Sequence, residues 1–268
     1  MYKAVFIDVD GTLIKKDHSI SAATYDVIQK LKEKNILVIL VSARPLSGII
    51  PIAKKVNLAD NPIASLNGAY IACDGEIIFN SVIDIEAVTK VYDQLQKYDA
   101  TIIYYQQENW FSELENAGTA HEQKITHIPV TIQPFDAIIA LWEKNKTGPN
   151  KILVIASEKA TNEIQHVMKQ KFINELSIAT SKPTYLDVMN KQASKLNAIR
   201  LLMQKYNIQQ HETIAIGDNF NDKEMIEFAG CGVAMGNAPV AVKEAANYVT
   251  DTNNNDGVCK AIKKLMNF

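Results

Sequence analysis

Cysteine is scarce in this chain: Cys73, Cys231 and Cys259 are widely spaced, odd in number and form no C-x-x-C pair. That excludes a disulfide framework and a paired-cysteine zinc site, and it fits a reducing, cytoplasmic setting. Net charge is nearly lacking as well, at a formal −2, so there is no electrostatic footprint for nucleic acid or an anionic membrane. No apolar run approaches the ~20 residues that a membrane-spanning helix needs. The opening Met1-Tyr2-Lys3 leads straight into an apolar stretch, without the charged-then-apolar pattern of a secretory leader. Repeats, low-complexity tracts and long linkers are also missing. What remains is an ordinary globular chain of 268 residues, 47% hydrophobic and 22% charged, long enough for one large domain or two modest ones. The expectation is a cytoplasmic protein, monomeric by default, with no nucleic-acid or membrane partner.

The informative stretch is the start, Ala4-Val5-Phe6-Ile7-Asp8-Val9-Asp10-Gly11-Thr12-Leu13. A short run without polar alternation reads as a strand buried on both faces of a parallel sheet. Such a strand delivers its last residues to the carboxyl edge, where open α/β folds bind their ligands. Two aspartates there repel each other and improve no core. Paired carboxylates at that place point to a hard cation and an anionic substrate, and so to metal-dependent phosphoryl transfer. The plain alternative is a solvated turn after an edge strand.

Strand and helix signals alternate through the first segment. Ser21 is a plausible N-cap for a helix with Tyr25, Ile28 and Leu31 on its apolar face. Ile36–Val41 is a second buried strand ending in Ser42-Ala43-Arg44-Pro45, followed by a helix through Ile49, Ile52, Ala53 and Val56 and a strand at Ile63–Leu66. This is the βαβ pattern of a parallel sheet. Near residue 69 the character changes: Ala69–Ala72 and Glu76–Phe79 flank Asp74-Gly75 as a hairpin. A helix through Val88, Val91, Leu95 and Tyr98, strands at Thr101–Tyr105 and Lys151–Ala156, and a loop at Thr147–Asn150 follow. The pairs Tyr104-Tyr105 and Trp110-Phe111 read as core. From residue 184 the first style resumes, with Ser194 capping a helix through Leu196, Ile199 and Leu202, and the strand Thr213–Ile216 ending in Gly217-Asp218-Asn219-Phe220-Asn221-Asp222. The predicted architecture is α/β: a Rossmann-like, doubly wound parallel sheet from residues 1–68 and 184–268, with an α+β insertion at 69–183.

Three buried-type strands therefore end in Asp8/Asp10, Ser42/Arg44 and Asp218/Asn221/Asp222, and in one parallel sheet those ends converge on one cleft. Lys195 opens a helix, where a cation meets the unfavourable end of the macrodipole; an anion in front of it would explain the placement. Lys182 and Lys191 are its rivals nearby. Arg44 suits either a contact with substrate or with the insertion, or a surface ion pair, and Asn219 or Asn221 suits a helix cap. His121, His127, His166 and His211 stand in surface-like contexts and His18 lies in the loop after the first motif; none receives a role.

Asp8-Val9-Asp10-Gly11-Thr12-Leu13, Ser42-x-Arg44, Lys195 before a helix, and Gly217-Asp218-Asn219-x-Asn221-Asp222 resemble the four motifs of the haloacid dehalogenase superfamily. Their order, the size of the insertion between the second and third, and Asn67-Gly68-Ala69 look like the Cof-type phosphatases with a C2 cap (subclass IIB). The resemblance implies a Mg²⁺-dependent phosphatase of small phosphorylated metabolites, such as sugar phosphates. Asp8 would be the nucleophile that forms an aspartyl-phosphate, and Asp10 the general acid and base. Asp8, the backbone carbonyl of Asp10 and Asp218 would hold Mg²⁺. Ser42, Ala43, Arg44, Lys195 and Asn221 would bind the phosphoryl group or substrate, and Asp222 would orient Lys195 or a metal-bound water. The insertion would be a lid that selects the leaving group. Two positions depart from the family: Ala43 stands where glycine is usual, and Leu196 follows Lys195 where glycine is customary. A phosphotransferase or phosphomutase on the same core, and a non-catalytic phospholigand-binding protein, are the alternatives.

Overall fold

The computed structural model describes residues 1–126 and 128–268; His127, given no role above, lies outside the described residues. The first strand, β1 (Ala4–Asp8), is buried along its whole length, as a run with apolar residues on both faces requires. It is followed by α1 (Ala22–Glu33), β2 (Leu37–Val41), α2 (Leu46–Lys55), β3 (Ile63–Ser65), β4 (Tyr70–Cys73) and β5 (Glu76–Asn80). Then come α3 (Ile85–Leu95), β6 (Thr101–Gln106), β7 (Asn109–Ser112), α4 (Ala117–Thr126), β8 (Thr131–Ile132), α5 (Phe135–Asn145), β9 (Lys151–Ile155), α6 (Glu158–Phe172), β10 (Leu176–Lys182) and β11 (Tyr185–Asn190). The chain closes with α7 (Lys195–Tyr206), β12 (Thr213–Gly217), α8 (Lys223–Phe228), β13 (Cys231–Ala234), α9 (Val240–Lys243), β14 (Tyr248–Val249) and α10 (Gly257–Met266). Two compact units result: Met1–Arg44, Ile49–Ile78 and Ser194–Phe268 make one, Pro45–Gly48 and Phe79–Ala193 the other.

The first unit is built on an eight-stranded sheet in the order β14-β13-β12-β1-β2-β3-β4-β5. From β14 to β3 every neighbour is parallel. The chain winds outward from β1 through β2 and β3, then returns to the other side of β1 through β12, β13 and β14. The strand order therefore reverses between β1 and β12, and this switch point is where a doubly wound sheet opens its crevice. Val5, Phe6, Ile7, Ile214, Ala215 and Ile216 are all fully buried, so both faces of the sheet are covered. Caps set the helix starts: Ser21 accepts from the backbone N–H of Thr24 and Ser194 from that of Asn197. On α1, Val27 is buried rather than the expected Tyr25.

The hairpin predicted at residues 69–79 forms around Asp74-Gly75, both at positive φ as a two-residue reverse turn requires. Its first strand pairs antiparallel with β3, so β4 and β5 extend the parallel sheet instead of starting the inserted one. The hairpin signal is local and does not say which edge it will join.

The second unit has a six-stranded sheet in the order β10-β11-β9-β6-β7-β8, antiparallel except for β7 with β8. One face, with Tyr104, Ile152, Val154, Leu186 and Val188, packs with Val88 and Val91 of α3, Ile138 and Trp142 of α5 and Ile164 and Met168 of α6. Tyr104, Tyr105, Trp110 and Phe111 are buried, as expected. Among the described residues no helix is long and apolar enough to cross a membrane.

Candidate active site

Asp8 ends β1 and is almost wholly buried. One of its oxygens, Oδ1, accepts a hydrogen bond from Lys195 Nζ at 2.6 Å. The other, Oδ2, is equally buried and meets no hydrogen-bond donor among the described residues. A buried carboxylate oxygen is costly to leave unsatisfied, so this atom is suited to a cation or an electrophile.

Lys195 reaches Asp8 because Ser194 caps α7 and turns the first helical side chain inward. Its ammonium also donates to Asp222 Oδ1 at 2.5 Å, and all three side chains are nearly inaccessible. Burial works against the charge of Lys195, yet the Asp222 and Asp8 carboxylates outweigh it and hold the ammonium above the usual lysine range. Burial and then the Asp222 carboxylate push Asp8 well up, against the pull of Lys195. The rivals Lys182 and Lys191 are exposed, with Lys182 over the Tyr185 ring in the other unit.

Asp218 follows β12, the strand beside β1 across the switch point. Burial and Asp222 push its carboxyl up to about 6. Oxygens of Asp8, Asp218 and Asp222 lie within 4.8 Å of one another. Three carboxylates around one ammonium leave a negative excess that a divalent cation would balance. Asp222 is the least available of the three: besides Lys195, it accepts from the backbone N–H groups of Asp218 (3.0 Å) and Asn219 (2.9 Å). Asp8 and Asp218 are thus the side chains offered to a metal. The Asp10 side chain lies apart from this group and pairs with Arg44 through two contacts of 2.6 Å.

Glycine is demanded at two places. Gly11 has φ +82°, and a Cβ there would stand 2.2 Å from Asp218 Oδ2; a Cβ at Gly217 would stand 2.5 Å from the Asp222 side chain. The acidic cluster closes only because backbone approaches it bare.

Ser42 is buried at the end of β2; its Oγ accepts from the Arg44 N–H, and its carbonyl accepts from the Asn67 N–H at 2.8 Å. Ala43 lies between them, its side chain a single methyl. Asn221 is exposed, and its Nδ2 donates to Asn67 Oδ1 at 3.0 Å. Asn219 caps the short turn Phe220–Asp222, so capping coexists with the carboxylate cluster.

Two contributors escape sequence reasoning. Asn237 Nδ2 donates to Asp218 Oδ2 at 3.1 Å and to the Gly11 carbonyl at 2.9 Å, and Thr12 Oγ1 donates to Asp218 Oδ1 at 3.2 Å. Thr12 sits inside the first motif, and its place there was the available signal. Asn237, in Gly236-Asn237-Ala238, reads only as a turn residue.

The profile of the haloacid dehalogenase-like hydrolase family matches residues 5–262. A Haemophilus influenzae protein named "Putative phosphatase" is 37% identical over 267 residues, 98% of each chain. Among solved structures, a haloacid dehalogenase-like hydrolase from Bacteroides thetaiotaomicron is 28% identical, with a TM-score of 0.88 over 99% of this chain and 100% of that one. A sugar phosphatase of HAD subclass IIB is 27% identical, with a TM-score of 0.83 over 99% and 100%.

Proposed function

The chain belongs to the haloacid dehalogenase-like hydrolases, and from that premise we propose that it hydrolyses small phosphomonoesters through an aspartyl-phosphate on Asp8, with Mg²⁺ resident in the site. The observation that carries this is Asp8 itself: buried, one oxygen on Lys195, the other without a donor among the described residues, beside Asp218. The orphaned oxygen and the negative excess fit a hard, oxygen-seeking cation. Asp8, Asp218 and the Asp10 backbone carbonyl would hold it. When bound, it supplies positive charge opposite the phosphoryl oxygens.

In the first half-reaction a carboxylate oxygen of Asp8 bonds to phosphorus as the ester P–O bond breaks, and Asp10 gives a proton to the departing alkoxide. In the second, Asp10 takes a proton from water as the water attacks phosphorus, which releases inorganic phosphate and restores Asp8. Lys195 offsets the approach of a carboxylate to a phosphate. Two like charges at about 4 Å cost roughly 4 kcal/mol at an effective dielectric near 20. Ser42, the Ala43 backbone and Asn221 would hold phosphoryl oxygens, and Asp222 would keep Lys195 aimed. In the same reading the insertion, less the β4–β5 hairpin that joins the first sheet, is the cap, which would choose among leaving groups. A sugar phosphate or a similar phosphometabolite is the substrate class, in keeping with the sugar phosphatase to which the chain is similar.

p-Nitrophenyl phosphate with Mg²⁺ is expected to release inorganic phosphate without an added acceptor, and EDTA to lower that rate at least about 100-fold. Turnover indifferent to EDTA, or dependent on an acceptor alcohol, would count against the proposal. A second outcome concerns Asn237, which steadies one Asp218 oxygen. Asn237→Ala is expected to weaken Mg²⁺ binding about 10- to 100-fold by calorimetric titration, the usual cost of losing a partner behind a metal ligand. Unchanged affinity would show that Asp218 is oriented by other contacts.

A further inference from the structure

Arg44 and Asp10 lie 34 positions apart, after the adjacent parallel strands β2 and β1. Arg44 Nε donates to Asp10 Oδ2 and Nη2 to Asp10 Oδ1, each at 2.6 Å, a side-on fork against both oxygens of one carboxylate. The Asp10 side chain is 49% exposed and that of Arg44 21%, and a pair so open to water contributes little to stability. Its worth has to be geometric.

The backbone around Arg44 is held at some cost. Its N–H donates to Ser42 Oγ, and its carbonyl accepts from the Leu66 N–H at 2.9 Å. Leu66, which makes that last bond, has φ +49°, and Asn67 after it, whose N–H meets the Ser42 carbonyl, has +54°. A left-handed leucine is disfavoured by about 1–2 kcal/mol, and such strain persists where the surroundings impose it, often at functional sites.

We propose that Arg44 is a positioning residue for Asp10, fixing the carboxyl that must meet the leaving-group oxygen, and is not itself a ligand of the phosphoryl group. This rests on the phosphatase reading above. A phosphoryl contact through the same two nitrogens would break the fork and leave Asp10 unpaired beside an anion. Asp10 has a single-bonded tether of one Cβ and a half-open setting, so without the fork its carboxyl samples other rotamers.

The consequence is selective. A poorly acidic leaving group needs the proton from Asp10, whereas p-nitrophenolate departs without it. The test is kcat/KM, which reports only steps up to leaving-group departure, for phenyl phosphates graded by the acidity of the phenol. Arg44→Met is expected to cost about threefold or less with p-nitrophenyl phosphate and about 100-fold with phenyl phosphate, within the range of general-acid catalysis. Asp10→Ala should show the same steepened dependence, and the double variant should be no worse than Asp10→Ala within about twofold. Arg44→Lys, which keeps the charge and loses the fork, should fall between and guards against misfolding of the first variant. An equal loss across the series, or losses that multiply in the double variant, overturns the assignment. Wild type that turns over nothing in the series, or turnover that survives Asp8→Asn, overturns the phosphatase reading instead. Turnover that requires Asp8 with an unsteepened Arg44→Met profile overturns only the role of Arg44.

Discussion

Asp8→Asn is expected to lower turnover of p-nitrophenyl phosphate by about 10⁴-fold or more, the scale on which removal of a nucleophile registers, while the protein stays at least as stable as wild type. Asparagine keeps the shape and an oxygen that accepts from Lys195, so Lys195 is not stranded. The stability sign follows from the raised carboxyl. Burial and Asp222 push the folded-state Asp8 above its ordinary range. A group raised in this way favours folding at low pH and loses that contribution as pH rises through its folded value. As pH rises through that folded value the wild type comes to hold a carboxylate where its surroundings disfavour one, and the neutral amide removes that burden. The thermal midpoint should be unchanged or higher, a stability–activity trade-off at the proposed nucleophile. Acid-quenched wild type should carry phosphate on the peptide containing Asp8, and the variant none. A midpoint lowered by several degrees, or a variant that retains phosphate on that peptide, would contradict this account.

Much of this site was legible because its carriers announce themselves locally. β1, β2 and β12 are apolar without alternation, since both of their faces are covered, and each breaks abruptly into polar residues at the sheet edge. Ser21 and Ser194 cap helices through bonds spanning three residues, which a linear chain displays. The structure brings Asp8, Lys195, Asp218 and Asp222 into one cluster. What stayed hidden is what depends on distant partners. Asn237 touches Asp218 and Gly11, and Asn67 meets Asn221 across 154 positions. Nothing near either residue marks the other. Arg44 was evenly poised between substrate and an ion pair, and only the adjacency of β1 and β2 supplies Asp10. In the second unit the helices α4, α5 and α6 were not placed; α6 was nonetheless legible, with Ser157 at its N-cap and Thr161, Ile164, Met168 and Phe172 as its buried stripe, whereas β8 has only two residues. The hairpin showed its turn but not its sheet, since the edge it joins is settled by β3.

Lys195→Met should be the most destabilising single change at this site. Methionine fills a comparable volume without charge, so the loss is of the ammonium rather than of packing. Asp8 and Asp222 then remain buried with no cation, and breaking a buried ion pair from one side costs about 3–5 kcal/mol. The deficit should depend on pH in a definite direction. With Lys195 gone, the remaining influences on Asp8 (burial, Asp222 and Asp218) all push its carboxyl further up. Protons are then bound more tightly in the folded state than in the unfolded one, so stability recovers as pH falls toward the ordinary carboxylate range near 4. Denaturant melts in EDTA should show the full deficit at about pH 8 and a smaller one at about pH 5. Added Mg²⁺ should restore part of it at about pH 8, because a cation that binds only the folded state stabilises it by mass action. A loss below about 1 kcal/mol that ignores both pH and Mg²⁺ would mean that the carboxylates shed their charge or find water without Lys195. In that case the lysine would be dispensable to the fold and retained for chemistry alone.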